Sequence, residues 1–141
     1  MVWSCLVSIL PGMAQTEKLT DYVNPFVGTD GYGNVYPGAQ IPFGGIQISP
    51  DTDSRFYDAA SGYKYNHLTL MGFSLTHLSG TGIPDLGDFL FIPGTGEMKL
   101  EPGTHEDPDQ GYRSRYSHDK EWASPNYYAV ELADYGVKAE M

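Results

Sequence analysis

The chain has 141 residues, enough for one domain, and 40% of them are hydrophobic, which is enough to fill a core. Its 18 acidic residues outnumber 8 basic ones, and the net charge of -10 argues against nucleic acid as a partner because it repels phosphate backbones. Eleven tyrosines, seventeen glycines and ten prolines favour short strands joined by turns over long helices. We therefore expect one all-β domain.

The first 14 residues, MVWSCLVSILPGMA, form an apolar run that ends in the small-x-small sequence Gly12-Met13-Ala14. This pattern predicts a shortened export signal over residues 1–14, and the run is too short to remain as a transmembrane anchor. An alternative is the frayed apolar end of a cytosolic protein, because no basic residue precedes Lys18. The single cysteine, Cys5, lies in this run and has no partner for an internal disulfide.

The next part of the chain combines loop composition with aromatic residues. Residues 21–53 are dense in glycine and proline but keep aromatic and aliphatic side chains, which is typical of an ordered loop that packs on itself. A short strand over residues 45–48 would close this loop. Residues 63–78 fit neither a period of 2 nor one of 3.6, but their threonines favour strand. Residues 89–92 and 97–101, joined by Pro93-Gly94-Thr95-Gly96, predict a hairpin.

The C-terminal part contains the clearest alternation. Residues 101–124 carry prolines, glycines and many charges, and we expect an exposed excursion there. Apolar residues then alternate with others over 128–133 and 137–141 around Asp134-Tyr135-Gly136, which predicts an antiparallel hairpin. Because the second strand reaches the last residue, we expect the domain of residues 15–141 to be incomplete at its C-terminal end. The predicted architecture is an antiparallel β-sandwich with long Gly/Pro-rich loops at one end.

Several common site types find little support. The glycines of residues 28–33 lack the lysine and the flanking strand and helix of a phosphate loop. The four histidines have no paired zinc spacing, and no serine lies in a G-x-S-x-G elbow. Aspartates cluster at 51–53 and 85–88, but the twelve-residue calcium spacing is absent. Sugar binding has the best compositional support, because tyrosines, tryptophans and polar glycine loops supply stacking faces and hydroxyl partners together.

A series of short motifs resembles one known family. They are Val23-Asn24-Pro25-Phe26-Val27-Gly28-Thr29, Tyr36-Pro37-Gly38-Ala39, Pro42-Phe43-Gly44, Ser61-Gly62-Tyr63, Gly72-Phe73-Ser74, Thr76-His77-Leu78-Ser79-Gly80-Thr81-Gly82, Asp85-Leu86-Gly87-Asp88, Tyr116-Ser117-His118-Asp119 and Tyr135-Gly136-Val137-Lys138-Ala139-Glu140. In this order they resemble the N-terminal domain of family 92 glycoside hydrolases, over roughly residues 21–141. The resemblance implies an exported bacterial exo-α-mannosidase, periplasmic or extracellular, that acts on mannose-containing glycans with inversion and requires calcium.

The resemblance also implies where the reaction takes place. In this family a β-sandwich packs against a helical (α/α)6 domain, which supplies the catalytic acid and base and most calcium ligands. We therefore expect this chain to be a fragment with pocket walls but no catalytic residue and no metal ligand of its own. It should be inactive alone. The alternative function is a free-standing carbohydrate-binding module.

The loop GFSLTHLSGTGIPDLGD over residues 72–88 should face the pocket, since its glycines allow close backbone approach and its His, Ser and Thr supply polar contacts. The loop from Asn24 to Thr29 would form the other half of the rim. Tyr32 and Tyr57 stand where the family often has histidine and tryptophan. The alternative is that these residues only hold the domain interface. The residues expected to contact sugar are Phe26, Gly28, Thr29, Tyr57, His77, Ser79, Gly80 and Gly82.

Overall fold

The structure is a computed structural model that describes residues 17–53 and 57–141; the predicted export signal of residues 1–14 lies outside them. These residues contain seven strands: β1 Ser49–Asp51, β2 Thr69–Leu70, β3 Gly72–Ser74, β4 Ser114–Arg115, β5 Glu121–Ser124, β6 Tyr127–Leu132 and β7 Val137–Glu140. Short 3₁₀ helices cover Leu19–Tyr22, Tyr57–Ala59, Pro108–Gln110 and His118–Lys120. Within the described residues no helix exceeds four residues, so the prediction of an all-β chain is confirmed.

The strands form antiparallel sheets that share one core. β1 pairs with β3, β2 pairs with β4, and β5, β6 and β7 form a three-stranded sheet in that order. The ring of Phe73 from β3 lies 6.4 Å from that of Tyr128 in β6, centroid to centroid. This packing of sheet against sheet is the predicted antiparallel sandwich. The buried core cluster is Tyr63, Leu70, Phe73, Tyr116, Tyr128, Val130, Leu132 and Ala139.

The predicted C-terminal hairpin is confirmed. β6 and β7 pair in register from Leu132 with Val137 to Ala129 with Glu140. The turn between them contains Gly136 at a φ of 61°, a left-handed conformation that glycine adopts without steric cost. Local alternation and turn chemistry were sufficient here because both strands and their turn are contiguous in the sequence.

Two predicted elements are displaced or absent. The short strand expected at residues 45–48 is found as β1 at Ser49–Asp51, where β3 supplies its partner, and only Ile48 pairs singly with Ala39. The hairpin of 89–92 with 97–101 does not form. Phe91 instead exchanges backbone hydrogen bonds of 2.7 and 2.9 Å with Phe73. Gly72 permits this approach, because a Cβ there would lie 2.6 Å from the Phe91 carbonyl oxygen.

The prediction of an exposed excursion over residues 101–124 is wrong. The backbone N–H groups of Tyr112 and Arg113 donate to the carbonyl oxygens of Glu101 and Pro102, over 2.8 and 3.2 Å, so the segment folds back on itself. Arg113 is then buried, and its guanidinium donates to the Thr52 carbonyl oxygen over 2.5 Å. The segment also carries β4 and β5. The charged residues of this segment therefore form contacts in the interior of the domain as well as on its surface.

The Glu121 side chain is a buried polar centre in this sandwich. Its carboxylate accepts hydrogen bonds from the Tyr63 hydroxyl at 2.9 Å, the Tyr128 hydroxyl at 2.5 Å and His118 Nδ1 at 2.6 Å. Burial raises the pKa of both tyrosine hydroxyls, which keeps them protonated and able to donate. Three donors compensate the cost of burying the carboxylate and join β5, β6 and the loop after β1.

Replacing Glu121 by leucine should destabilise the fold by about 2 to 4 kcal/mol, because three buried donors lose their acceptor. Urea unfolding of the chain measures this change. Glu131→Leu on β6 is the matched control, since Glu131 forms a surface ion pair with Lys120 and its replacement should change stability little. Equal losses for the two variants would contradict the assigned role of Glu121.

Candidate functional site

The glycine-rich loop after β3 is closed at its base. His77 pairs with Leu86 across the loop, and the Gly87 N–H donates to the Thr76 carbonyl oxygen over 2.8 Å. Residues 78–85 project from this base, and their glycines and proline are typical of a turn rather than a continued strand. Backbone pairing therefore fixes the base of the loop over residues 72–88, which the sequence analysis predicted to face the pocket.

The side chain of His77 points into the protein. Nδ1 donates to the Gln47 carbonyl oxygen over 2.7 Å, while Nε2 lies 3.0 Å from Asp51 Oδ1 and 3.0 Å from Ser74 Oγ. The Tyr36 ring packs on the imidazole with its centroid 4.9 Å away, and only 4% of His77 is exposed. Both ring nitrogens are therefore engaged within the chain. A direct contact between His77 and a sugar stays a prediction.

The turn at Gly62 lies directly on the Asp51 and His77 side chains. A Cβ at residue 62 would be 2.2 Å from Asp51 Oδ1 and 3.0 Å from His77 Cδ2. The Gly62 φ of 87° also favours glycine, and its carbonyl oxygen accepts from the Thr52 N–H over 2.7 Å. Glycine is thus required at this position for close approach and for backbone conformation.

Tyr57 and Gly82 meet at the exposed side of the loops. A Cβ at residue 82 would lie 2.4 to 2.6 Å from atoms of the Tyr57 ring, so the tyrosine packs directly on the glycine backbone. Tyr57 remains 66% exposed. An exposed aromatic ring supported from below by a neighbouring loop can stack on the apolar face of a sugar ring.

The loop that begins at Asn24 packs beside the same region. The Phe26 ring contacts those of Tyr63 and Tyr65, with centroids 6.4 and 5.7 Å away. Thr29 is buried, its hydroxyl donates to the Phe26 carbonyl oxygen over 2.9 Å, and its own carbonyl oxygen accepts from the Tyr65 N–H. Gly28 is exposed at a φ of 85°. The structure thus makes Thr29 an internal support of the loop and leaves Gly28 at its surface.

Backbone contacts join these segments, which we call the three site loops: residues 24–34, 57–62 and 77–82. The Gly80 N–H donates to the Asn34 carbonyl oxygen over 2.6 Å. The Ser61 hydroxyl donates to the carbonyl oxygen of Val35, directly after the first loop, over 3.2 Å. With the contact of Tyr57 on Gly82, each site loop touches a neighbour, and the predicted site residues therefore lie in adjoining segments. Ser79 is exposed beside Gly80.

The other histidines take part in internal hydrogen bonds. His67 Nδ1 lies 3.0 Å from Thr52 Oγ1, and His105 Nδ1 lies 2.8 Å from Thr69 Oγ1. His118 bonds to Glu121 through Nδ1 and to the Tyr65 carbonyl oxygen through Nε2, over 2.7 Å. These contacts give the three histidines a structural role as hydrogen-bonding groups within the domain. Sequence reasoning missed the partners, because nothing in the sequence places residues 15 to 53 positions apart in contact.

Calcium needs several oxygen ligands in one place. Within residues 17–53 and 57–141, no group of three or more His, Cys, Asp or Glu side chains is arranged to hold a metal ion. The described residues therefore do not fit a calcium site by themselves, and we assign no chemical step in this domain to one. The same residues contain no helix that is long and apolar enough to cross a membrane.

Comparison with known proteins identifies the domain. Residues 22–141 match the family model described as the glycosyl hydrolase family 92 N-terminal domain. The chain belongs to this family. An uncharacterized secreted glycosidase of Arthroderma benhamiae is 31% identical over 122 residues, which are 85% of this chain and 15% of that protein.

Two solved structures of family 92 proteins resemble this domain. The family 92 glycosyl hydrolase CcMan5 is 34% identical with a TM-score of 0.65, over 80% of this chain and 14% of that one. An inverting mannosidase of Bacteroides thetaiotaomicron is 25% identical with a TM-score of 0.58, over 89% of this chain and 17% of that one. The chain therefore spans less than a fifth of these relatives.

The Tyr57 contact leads to a test of the site geometry. Gly82→Ala should displace the Tyr57 ring, because the new Cβ would overlap it, while stability changes little since the ring can swing into solvent. The Tyr57 ring resonances in NMR spectra report the displacement. Gly45→Ala is the control, because nothing lies within 4 Å of a Cβ there. Unchanged Tyr57 resonances in Gly82→Ala would show that the ring does not rest on this loop.

Proposed function

We propose that this chain is the N-terminal, pocket-wall domain of an exported, calcium-dependent, inverting exo-α-mannosidase, present here as a fragment. The single observation that carries the proposal is the set of contacts that joins the three site loops, with Tyr57 exposed on one of them, in a family 92 N-terminal domain. One structural relative is an inverting mannosidase, and the fungal relative is described as secreted. Mannose-containing glycans are the substrates that fit these relationships.

The proposed division of labour assigns binding to this chain and bond cleavage to a helical partner domain. Inversion requires a carboxylic acid at the leaving oxygen and a carboxylate that activates water, about 6.5 to 9.5 Å apart across the sugar. Asp51 and Glu121 are both buried and hydrogen-bond inside the sandwich, and the buried Asp53 carboxylate lies 3.5 Å from His105 Nε2. Because these carboxylates already interact within the sandwich, we assign the catalytic acid and base, and the calcium ligands, to the helical domain.

Exposed apolar side chains mark a surface that such a partner domain would cover. Phe43, Phe89 and Phe91 are each more than half exposed, on segments that flank β1 and β3. Leu75, directly after β3, binds both segments through its backbone. Its N–H donates to the Asp88 carbonyl oxygen, and its carbonyl oxygen accepts from the Gln47 N–H. Isolated apolar side chains are ordinary, but several on neighbouring segments indicate an interaction surface.

The activity of the isolated chain tests the fragment assignment. We expect no hydrolysis of aryl α-mannosides, with or without calcium, because the acid and base would lie in the helical domain. A chimera in which this chain replaces the matching segment of CcMan5 should hydrolyse them, and removing calcium should abolish that turnover. Turnover by the isolated chain that disappears on mutating one of its own acids would refute the assignment. Tight glycan binding without turnover in either protein would favour the carbohydrate-binding module.

Association of the isolated chain tests the proposed covered surface. We expect it to self-associate or dissolve poorly, because the edge strand β7 and the apolar segments expose unpaired backbone and hydrocarbon. Sedimentation of the double variant Phe43→Ser/Phe89→Ser should show less association than Met98→Ser/Leu100→Ser, which alters exposed side chains elsewhere. A clean wild-type monomer at high concentration would argue for a self-sufficient module.

A further inference from the structure

We propose that Asp51 is a positioning residue that, through His77, holds the site loops 57–62 and 77–82 in place; its relevance to glycan binding rests on the proposed function. The Asp51 side chain is 4% exposed and the His77 side chain 2% exposed, and their polar atoms lie 3.0 Å apart. Neither faces the solvent side where Tyr57 lies. Their influence on a ligand would therefore pass through the loops that they touch.

The imidazole of His77 is fixed at both nitrogens. Nδ1 bonds to the Gln47 carbonyl oxygen and Nε2 to Asp51, so the ring cannot rotate without breaking two buried contacts. Gln47 directly precedes the strand region that contains Asp51, and its N–H donates to the Leu75 carbonyl oxygen. The sheet of β1 and β3 thus fixes the position of His77, the first residue of loop 77–82, through Asp51 and Gln47.

The same pair supports the second loop. Gly62 sits so close to the Asp51 carboxylate and the His77 ring that no side chain would fit between them. Tyr57 lies in this loop and packs on Gly82 of the other one, so the two loops meet once at the buried pair and once at the exposed ring. Neither loop contains a strand, so these two contact points fix the position of one loop relative to the other.

The second Asp51 oxygen supports a role other than stability. Asp51 Oδ2 is buried and has no hydrogen-bond partner among the described residues. A buried carboxylate oxygen without a partner lowers stability, so an apolar or amide side chain would serve the core better. Local costs of this kind are found most often where geometry serves function.

Amide hydrogen exchange tests the positioning role without any glycan. The Gly62 N–H donates to the Ala59 carbonyl oxygen and the Gly80 N–H to that of Asn34, so both amides report on the site loops. In Asp51→Ala we expect both to exchange about five- to a hundredfold faster than in the wild-type chain. Asp51→Asn should restore most of the protection, because its amide can donate to Nε2 or accept from it, whether or not that nitrogen carries a proton.

Val130→Ala is the matched control, since it weakens the buried core on β6, and the residues of that core cluster lie outside loops 57–62 and 77–82. With denaturant adjusted to equal global stability, it should accelerate exchange of the Tyr128 amide and leave the Gly62 and Gly80 amides near their wild-type rates. Equal acceleration of Gly62 and Gly80 in Val130→Ala and Asp51→Ala would overturn the proposal. Exchange in Asp51→Asn as fast as in Asp51→Ala would overturn it too.

Kinetics of the CcMan5 chimera connect positioning to the substrate. At a temperature where all variants are folded, Asp51→Ala should raise KM for an aryl α-mannoside severalfold and change kcat less, because binding contacts are displaced while the acid and base are not. Val130→Ala should leave both constants unchanged. A KM unaltered by Asp51→Ala would overturn the link to binding. If the wild-type chimera shows no turnover, the proposed function fails, while the exchange experiment still decides the positioning role.

Discussion

The contact between Asp51 and His77 is the point at which the framework of this domain meets its loops. Asp51 ends β1, beside β3, and His77 begins the glycine-rich loop after β3. Their 3.0 Å contact is buried, where the effective dielectric is low and a polar pair resists separation more strongly than it would in water. Loops 57–62 and 77–82 contain no strand of their own, so this contact ties their positions to the sheet.

Glu121 on β5 is a second buried carboxylate, and it differs from Asp51 in how completely its oxygens are hydrogen-bonded. Tyr63, Tyr128 and His118 all bond to its carboxylate, so each acceptor oxygen is used. At Asp51 one carboxylate oxygen has no such partner within the described residues. The fully satisfied centre joins strands within the core, whereas the incompletely satisfied one lies below the loops. This difference is why we assign stability to Glu121 and positioning to Asp51.

The C-terminal hairpin could be predicted from the sequence because its information is local. Alternation over residues 128–133 and 137–141 and a turn with Gly136 specify both strands and their register. The turn at residues 93–96 has similar chemistry, but Phe91 pairs with Phe73, and only the fold places those two residues side by side. Turn residues show where a chain can bend, and the partner of each strand depends on contacts distant in sequence. The candidate site was predictable to the same limited extent. The order of the motifs identified the family and the loops. It could not identify Gln47 and Asp51 as the partners of His77, because they lie 30 and 26 residues away in the sequence.

The positions of the carboxylates bear on how a glycosidase could use this domain. A general acid or base must come within hydrogen-bond reach of the glycosidic oxygen or of the attacking water. Asp51 and Glu121 are enclosed and bonded within the sandwich, while Asp85 and Asp88 are exposed and bond to the Leu86 N–H and the Thr76 hydroxyl. A wall whose buried carboxylates bond to its own side chains would not compete with the catalytic pair for substrate protons. In the function that we propose, such a wall would place an aromatic ring and backbone groups around the sugar and leave the proton transfers to the helical domain.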